Sequence, residues 1–225
     1  MIARLPTAKG CAALHSVNDN KGYTGRMNEN KHIPIKRIDQ AKAAGMAHFK
    51  EMRALNPWMD SRLVSEDLNK ICNANASIKS KLTKMAAYAD RIAAAIAPHA
   101  ACKSGCSHCC NIAVTISGAE AEMIGAKIGR KPATVLQWTS SQDEQVKKYH
   151  NVPCTFLVAG KCSIYDARPI ACRLQFNLDD DEFLCKLETK PVDDCIPMVD
   201  LRHYWKNLSK LTGSTVITDI REFFM

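Results

Sequence analysis

The placement of cysteine is the feature of this sequence that most constrains its fold. The chain has 225 residues and 11 cysteines, and nine of the cysteines lie between Cys102 and Cys195. A chain of this length buries about 70% of its unfolded surface, so it needs no disulfides merely to form a core. In a reducing compartment, clustered cysteines more often bind metal or carry out redox chemistry than form disulfides. The cysteines therefore predict a metal-binding region in the second half of the chain.

Composition and sequence ends favour a globular protein of the cytoplasm. The chain is 46% hydrophobic and 24% charged, which is typical of a globular domain. No run approaches the roughly 18 apolar residues of a membrane helix. The first ten residues also lack the apolar centre of a secretory signal. We therefore expect a cytoplasmic protein without a membrane partner.

Basic residues are concentrated in the first part of the chain. The formal net charge is +8; residues 1–100 contain 16 Lys+Arg and 8 Asp+Glu, whereas residues 101–225 contain 15 of each. These bases are scattered and aromatic residues are only 6% of the chain, so a solvated surface is favoured over nucleic-acid binding. Binding of a nucleic acid or an acidic partner stays as an alternative.

Patterning divides the chain into four segments. We predict an irregular segment over 1–33, a basic helical extension over 34–98, a cysteine-cluster metal-binding domain over 99–197, and a C-terminal helix and tail over 198–225. Helical spacing predicts helices over 35–55, from 61 to 97 and from 198 to 211. A short strand is predicted over 112–116. The predicted fold is α+β and mainly α, with a small cysteine-rich core and an N-terminal helical extension.

Two local signals refine the cysteine-rich region. Ser117 and Glu120 have the spacing of a capping box at the start of a helix, which Gly129 would end. Ala159-Gly160 lies between two apolar runs and predicts a tight hairpin within 155–164.

Four thiols lie within nine residues, in the order Cys102-x3-Cys106-x2-Cys109-Cys110. Thiolates bind zinc and iron, and Gly105 permits the tight backbone path that converging sulfurs require. A second group of cysteines follows. The predicted metal ligands are Cys102, Cys106, Cys109, Cys110, Cys154, Cys162, Cys172 and, as the eighth, Cys185.

Eight thiols suit two tetrahedral zinc sites or one or two iron–sulfur clusters, and their spacing does not decide which of them share a metal. Cys11 and Cys72 are interpreted as small buried apolar residues, and Cys195 is ranked below Cys185. His108 is compatible with metal ligation and equally compatible with a supporting role beside the ligands. The C-x3-C-x2-C spacing also matches radical S-adenosylmethionine enzymes, but the (β/α) barrel pattern of that family is missing here.

An ordered set of motifs carries a family resemblance over about residues 100–175. The first part is the Cys102–Cys110 cluster followed by Val114-Thr115-Ile116 and Glu120-Ala121. The second part is Pro153-Cys154-x-Phe156-Leu157, Cys162-x-Ile164-Tyr165 and Arg168-Pro169-x2-Cys172-Arg173. This region resembles the YkgJ-like cysteine-cluster family, whose CxxCxxCC domain is described as zinc- or iron-chelating.

The resemblance implies that the chain binds zinc, iron or an iron–sulfur cluster. It does not imply a particular reaction. A more distant likeness to flagellin lysine-N-methylase implies, as an alternative, an iron–sulfur or S-adenosylmethionine-dependent transferase. Whether the chain is an enzyme stays open. Within the motifs, we expect Asp166 to cap the helix that presents Cys172. We expect Arg168 and Arg173 to offset thiolate charge or to pair with Asp166 and the acidic run over 179–182.

Overall fold

The structure, a computed structural model, describes residues 35–135, 142–186, 196–213 and 216–225. The chain forms two compact units, each assembled from separated segments. Of the described residues, the first unit comprises 35–57, 95–103, 176–186 and 196–201, and the second comprises 58–94, 104–135, 142–175, 202–213 and 216–225. The predicted irregular segment over 1–33 lies outside the described residues, and the predicted domain boundaries stay a prediction.

The mainly helical α+β fold is confirmed, with one correction among the early helices. α1 (Ile35–Leu55) has the predicted bounds. The single helix predicted from 61 to 97 is wrong, because α2 (Ser61–Asn73) and α3 (Ile78–Ile96) are separate. The backbone is extended at Ala74. The hydroxyl of Ser77 then accepts a hydrogen bond from the amide of Ser80 over 3.2 Å, which starts a new helix.

The second unit contains two small antiparallel sheets. β1 (Thr115–Ser117) pairs with β4 (Ile217–Asp219), so that Ile116 faces Thr218. β2 (Leu157–Val158) pairs with β3 (Lys161–Cys162). The two linking residues, Ala159 and Gly160, have φ of 49° and 74°. Positive φ at both positions is the geometry of a type I′ turn, which confirms the predicted hairpin.

Four further helices and α4 complete this unit. α4 (Gly118–Ile128) begins with the predicted Ser117–Glu120 capping box and ends at Gly129. The others are α5 (Gln142–Lys148), α6 (Ile170–Arg173), α7 (Arg202–Thr212) and α8 (Ile220–Phe223). The strand predicted over 112–116 lies slightly later, as β1, and the helix predicted from 198 begins only at Arg202. β4 and α8 were not predicted.

The core of the second unit joins the cysteine-rich segment to the end of the chain. One cluster of this core consists of the buried apolar residues Val114, Ile116, Ala121, Ile124, Phe156, Ile220, Phe223 and Phe224. Cys154 and Cys172 pack against this cluster. The rings of Phe156 and Phe224 meet edge to face, with centres 5.3 Å apart. The core therefore supports two of the predicted ligands directly.

The first unit is built around α1. Ala41 on this helix and Leu184 form a small buried cluster. The guanidinium of Arg37 pairs with the buried carboxylate of Asp179 at 2.6 Å. A Cβ at Gly45 would lie 2.4 Å from Cβ of Pro197, so only glycine permits this close approach.

Within the described ranges, no helix has both the length and the apolar character needed to cross a bilayer.

Candidate metal centre

Six of the eight predicted ligands lie in the second unit, on four short pieces of structure. Cys106 precedes a 3₁₀ turn over His108–Asn111, which carries Cys109 and Cys110. Cys154 precedes the hairpin, Cys162 lies on β3, and Cys172 lies on α6. All six are free and partly buried thiols.

Backbone hydrogen bonds join the first cysteine loop to the hairpin. The amide of Cys154 donates to the carbonyl oxygen of Cys110 over 2.7 Å. The amide of Leu157 then donates to the carbonyl oxygen of Cys154 over 2.9 Å, which turns the chain into β2. These bonds bring together two groups of cysteines that are separated by more than forty residues in sequence.

Four of the thiols influence one another in every pairing. Burial raises the pKa of Cys172, and the charges of Cys154, Cys110 and Cys162 raise it further. Burial is also the largest cause of the raised pKa of Cys154, to which the charges of Cys110 and Cys162 contribute. The pKa of Cys162 is likewise raised by burial and by the charge of Cys110. Cys110, Cys154, Cys162 and Cys172 therefore occupy one small region.

The adjacent thiols of Cys109 and Cys110 form a hydrogen bond with each other. The Cys109 thiol donates to the sulfur of Cys110, and this hydrogen bond raises the pKa of Cys109 and lowers that of Cys110. Burial and the charges of Cys110, Cys172 and Cys106 raise the pKa of Cys109 further. Cys106 lies beside His108, with ligand atoms within 4.8 Å of each other.

Two arginines supply positive charge to the thiols. Arg221 lowers the pKa of Cys110 and Cys154, and Arg168 lowers that of Cys162 and Cys172. The Arg168 guanidinium lies 4.0 Å from the ring centre of Tyr165. Nearby cations favour the thiolate, which is the form that binds metal. The expectation that Arg168 offsets thiolate charge thus has direct support.

Asp166 and Arg173 differ from their predicted roles. α6 begins after Pro169 without a side-chain cap, because Asp166 lies in the preceding 3₁₀ turn over Tyr165–Ala167. Arg173 pairs instead with a carboxylate of α3. Its Nη1 binds the carboxylate of Asp90, while Nε and Nη2 donate to the carbonyl oxygens of Arg168 and Asp166. Arg173 therefore ties α6 to α3.

The other two predicted ligands, Cys102 and Cys185, lie in the first unit on either side of Asn177. The backbone amide of Asn177 donates to Sγ of Cys102, and its side-chain amide donates to Sγ of Cys185, each over 3.4 Å. Asn177 itself is only 1% exposed. Amide donors of this kind are common partners of sulfur in thiolate sites.

The remaining cysteines agree with or lie beyond the predictions. Cys72 lies on α2, and its thiol donates to the carbonyl oxygen of Asn207 over 3.6 Å. Cys72 is partly rather than fully buried, and this burial raises its pKa. Cys11 and Cys195 lie outside the described residues.

Sequence reasoning missed Asp219, Arg221 and Asn177. Asp219 has a signal, since its spacing to Glu222 resembles a capping box, and its side chain does accept from the amide of Arg221. The contacts of Arg221 and Asn177 depend on tertiary folding and leave no local pattern.

The donor set fits zinc or iron, because both metals are bound by thiolates in small cysteine-rich sites. No curated protein and no solved structure matches the chain. Residues 101–190 match the model of the CxxCxxCC family, which is described as a "putative zinc- or iron-chelating domain". This stretch contains all eight predicted ligands, and the match supports chelation of zinc or iron by this cysteine-rich region.

Proposed function

We propose that Cys110, Cys154, Cys162 and Cys172 together bind one metal ion, zinc or iron, and that this centre is the functional core of the chain. The hydrogen bond from the amide of Cys154 to the carbonyl oxygen of Cys110 and the packing of Cys154 and Cys172 against one core cluster support the grouping. The charge effects among the four thiols agree with it. Four soft donors of one type are the set that tetrahedral zinc and iron–sulfur sites use.

The surroundings favour a bound cation. Thiolates that are buried together repel one another, and burial adds a desolvation cost to each charge. When bound, the metal neutralises part of this charge and cross-links the loops that carry the sulfurs. Arg168 and Arg221 supply a further two positive charges close to the set.

The remaining predicted ligands form the second part of the proposal. Cys109 and Cys106 lie next to the four-thiol set, and Cys102 and Cys185 share Asn177 in the first unit. We propose that Cys106 and Cys109 also bind metal in the second unit, and that Cys102 and Cys185 bind metal in the first, as zinc ligands or as ligands of an iron–sulfur cluster. A cytoplasmic location remains a prediction from the sequence.

Metal analysis and an absorption spectrum of anaerobically purified protein test the proposal. We expect one or two equivalents of zinc in a colourless protein, or iron with absorption near 400 nm. A metal-free protein with full native stability would reject metal binding as the function.

Paired serine variants test the grouping. Cys154→Ser with Cys162→Ser should remove at least one metal equivalent, because serine lacks the thiolate. Cys72→Ser is the matched control, since this cysteine lies on α2 and is bonded to Asn207. Equal metal content in the double variant and the wild type would show that these two thiols are not ligands.

Nothing in the described residues bears on the transferase alternative or on nucleic-acid binding, so both stay predictions from the sequence. Binding of S-adenosylmethionine to the metal-loaded protein would support the first. A salt-dependent shift with DNA or RNA would support the second.

A further inference from the structure

A single buried arginine from the C-terminal segment contacts both loops that lead to the four-thiol set. Nη2 of Arg221 donates to the carbonyl oxygens of Val152, Ile112 and Cys110 over 2.7, 3.2 and 3.4 Å. Its Nε donates to the carbonyl oxygen of Pro153 over 3.1 Å. Cys110 and Ile112 belong to the first loop. Val152 and Pro153 belong to the second, which leads to Cys154.

Asp219 holds this guanidinium in place. Nη1 of Arg221 lies 2.9 and 3.0 Å from the two carboxylate oxygens of Asp219. Asp219 also accepts the backbone amide of Val114 over 2.6 Å. The carboxylate is fully buried and Arg221 is 7% exposed, so water does not compete for these bonds.

The two loops and the arginine meet at one atom. The carbonyl oxygen of Cys110 accepts the amide of Cys154 over 2.7 Å and also faces Nη2 of Arg221. The Tyr149 ring, whose centre is 4.8 Å from the guanidinium carbon, covers Arg221. The placement of Cys110 relative to Cys154 is therefore supported by their direct backbone hydrogen bond and by the guanidinium of Arg221.

We propose that Arg221 is a positioning residue of the metal centre, which sets the relative placement of Cys110 and Cys154 by binding the backbone of both loops. This inference rests on the proposed metal-binding function and adds a residue outside the matched stretch 101–190. Arg221 acts through the loops, because its bonds go to carbonyl oxygens and to Asp219.

Lysine cannot replace this arrangement. A guanidinium presents five N–H donors in a rigid plane, which serve a two-oxygen carboxylate contact and several carbonyl oxygens at once. An ammonium has three donors at one point on a flexible chain. Arg221→Lys therefore keeps the charge and loses the geometry.

The experiment compares wild-type protein with Arg221→Lys and Asp219→Asn after metal removal and anaerobic titration with Co²⁺, followed by competition with Zn²⁺. Partners of this supporting kind change metal affinity by roughly 10–100-fold. We expect Arg221→Lys to weaken Co²⁺ binding by about that factor and to alter its thiolate-to-metal absorption band. Asp219→Asn should give a smaller loss, because Arg221 keeps its carbonyl contacts.

Glu222→Gln is the matched control, since Glu222 lies on the same helix but bonds to Lys148 and Tyr149. It should retain wild-type Co²⁺ affinity and spectrum. If Arg221→Lys does not fold without metal, the Co²⁺ concentration that restores its circular dichroism signal is measured in place of the affinity. This concentration should be higher than the one that the wild type needs. Wild-type affinity and spectrum in folded Arg221→Lys would overturn the inference alone, whereas a wild-type protein without bound Co²⁺ would overturn the proposed function.

Discussion

Nη1 of Arg173 lies 2.5 and 2.7 Å from the two carboxylate oxygens of Asp90, which ties the helix carrying Cys172 to α3. Arg173 is buried, whereas Asp90 is half-exposed. The pair therefore has a structural function, and the remaining donors of Arg173 are taken up by carbonyl oxygens.

We expect Asp90→Ala to lower the free energy of unfolding by about 2 kcal/mol, because it leaves a buried guanidinium without its anion. Metal content should not change. Urea denaturation with metal analysis checks both expectations. Glu66→Ala, which removes an exposed partner of Arg62 at 3.7 Å, is the control and should cost less than about 0.5 kcal/mol.

Removal of metal should destabilise the protein substantially. A ligand that binds only the folded state adds about 4 kcal/mol when its concentration is 1,000 times its dissociation constant. For a chain of this size, that energy corresponds to a fall in Tm of roughly 10 °C or more on chelation. Calorimetry with and without chelator measures it. The same chelator should lower the Tm of the Cys154→Ser, Cys162→Ser double variant by less than that of the wild type, because the four-thiol set no longer holds metal. An equal fall in both proteins would contradict the assigned ligands.

Glu222 should give the protein part of its acid sensitivity. Hydrogen bonds from Lys148 and then Tyr149 hold the pKa of Glu222 below its usual value of 4.5. A lowered folded-state pKa adds stability that is complete above pH 4.5 and is lost as the pH falls through the folded value.

Glu222→Gln should therefore be less stable than wild type by about 1 kcal/mol at pH 7, with the difference shrinking below pH 4.5. Denaturation of both proteins over a pH series measures the difference, so that acid effects common to both cancel. High salt should reduce it, because Lys148 is mostly exposed. A difference that grows on acidification would show that the sign is wrong.

Gly45→Ala should destabilise the first unit, although alanine favours helices by about 1 kcal/mol over glycine. The added Cβ would lie 2.4 Å from Cβ and 3.0 Å from Cγ of Pro197. Overpacking of this kind typically costs about 1–3 kcal/mol. Chemical denaturation should show a net loss, and Ala47→Gly on the exposed side of α1 measures the helix preference alone. If Gly45→Ala were more stable than the wild type, Pro197 would have to move at little energetic cost to make room for the added Cβ.

Much of the fold follows from local rules that the sequence displays. The Ser117–Glu120 box, Gly129 and Ala159-Gly160 each determine a backbone geometry within a few residues, and all three elements form where expected. The break after Asn73 is not visible in the sequence pattern, because apolar residues keep their helical spacing from α2 into α3. Ser77 nevertheless caps a new helix there. Local capping competes with helical periodicity there, and capping prevails.

The donors of the proposed centre are a prediction from the sequence, whereas the residues that support them leave no pattern there. Sulfur chemistry and spacing single out Cys110 and Cys154, because thiols in such numbers are rare outside metal sites. The arginine that joins their loops is far away in sequence, and its bonds go to backbone carbonyls that every residue has. Asn177 could not be predicted for the same reason, because its amide donates to cysteines that are distant from it in sequence.

The pairing of β1 with β4 has a consequence for the order of synthesis. A ribosome that has just completed residue 190 has made all eight proposed ligands, yet neither Asp219 nor Arg221 exists. Thiols that leave the ribosome before residues 219–221 do lie on loops that are not yet bound by Arg221. Under the proposed function, any ion captured so early is held by a partial site, and its final coordination is fixed only when the later strand arrives and closes the sheet.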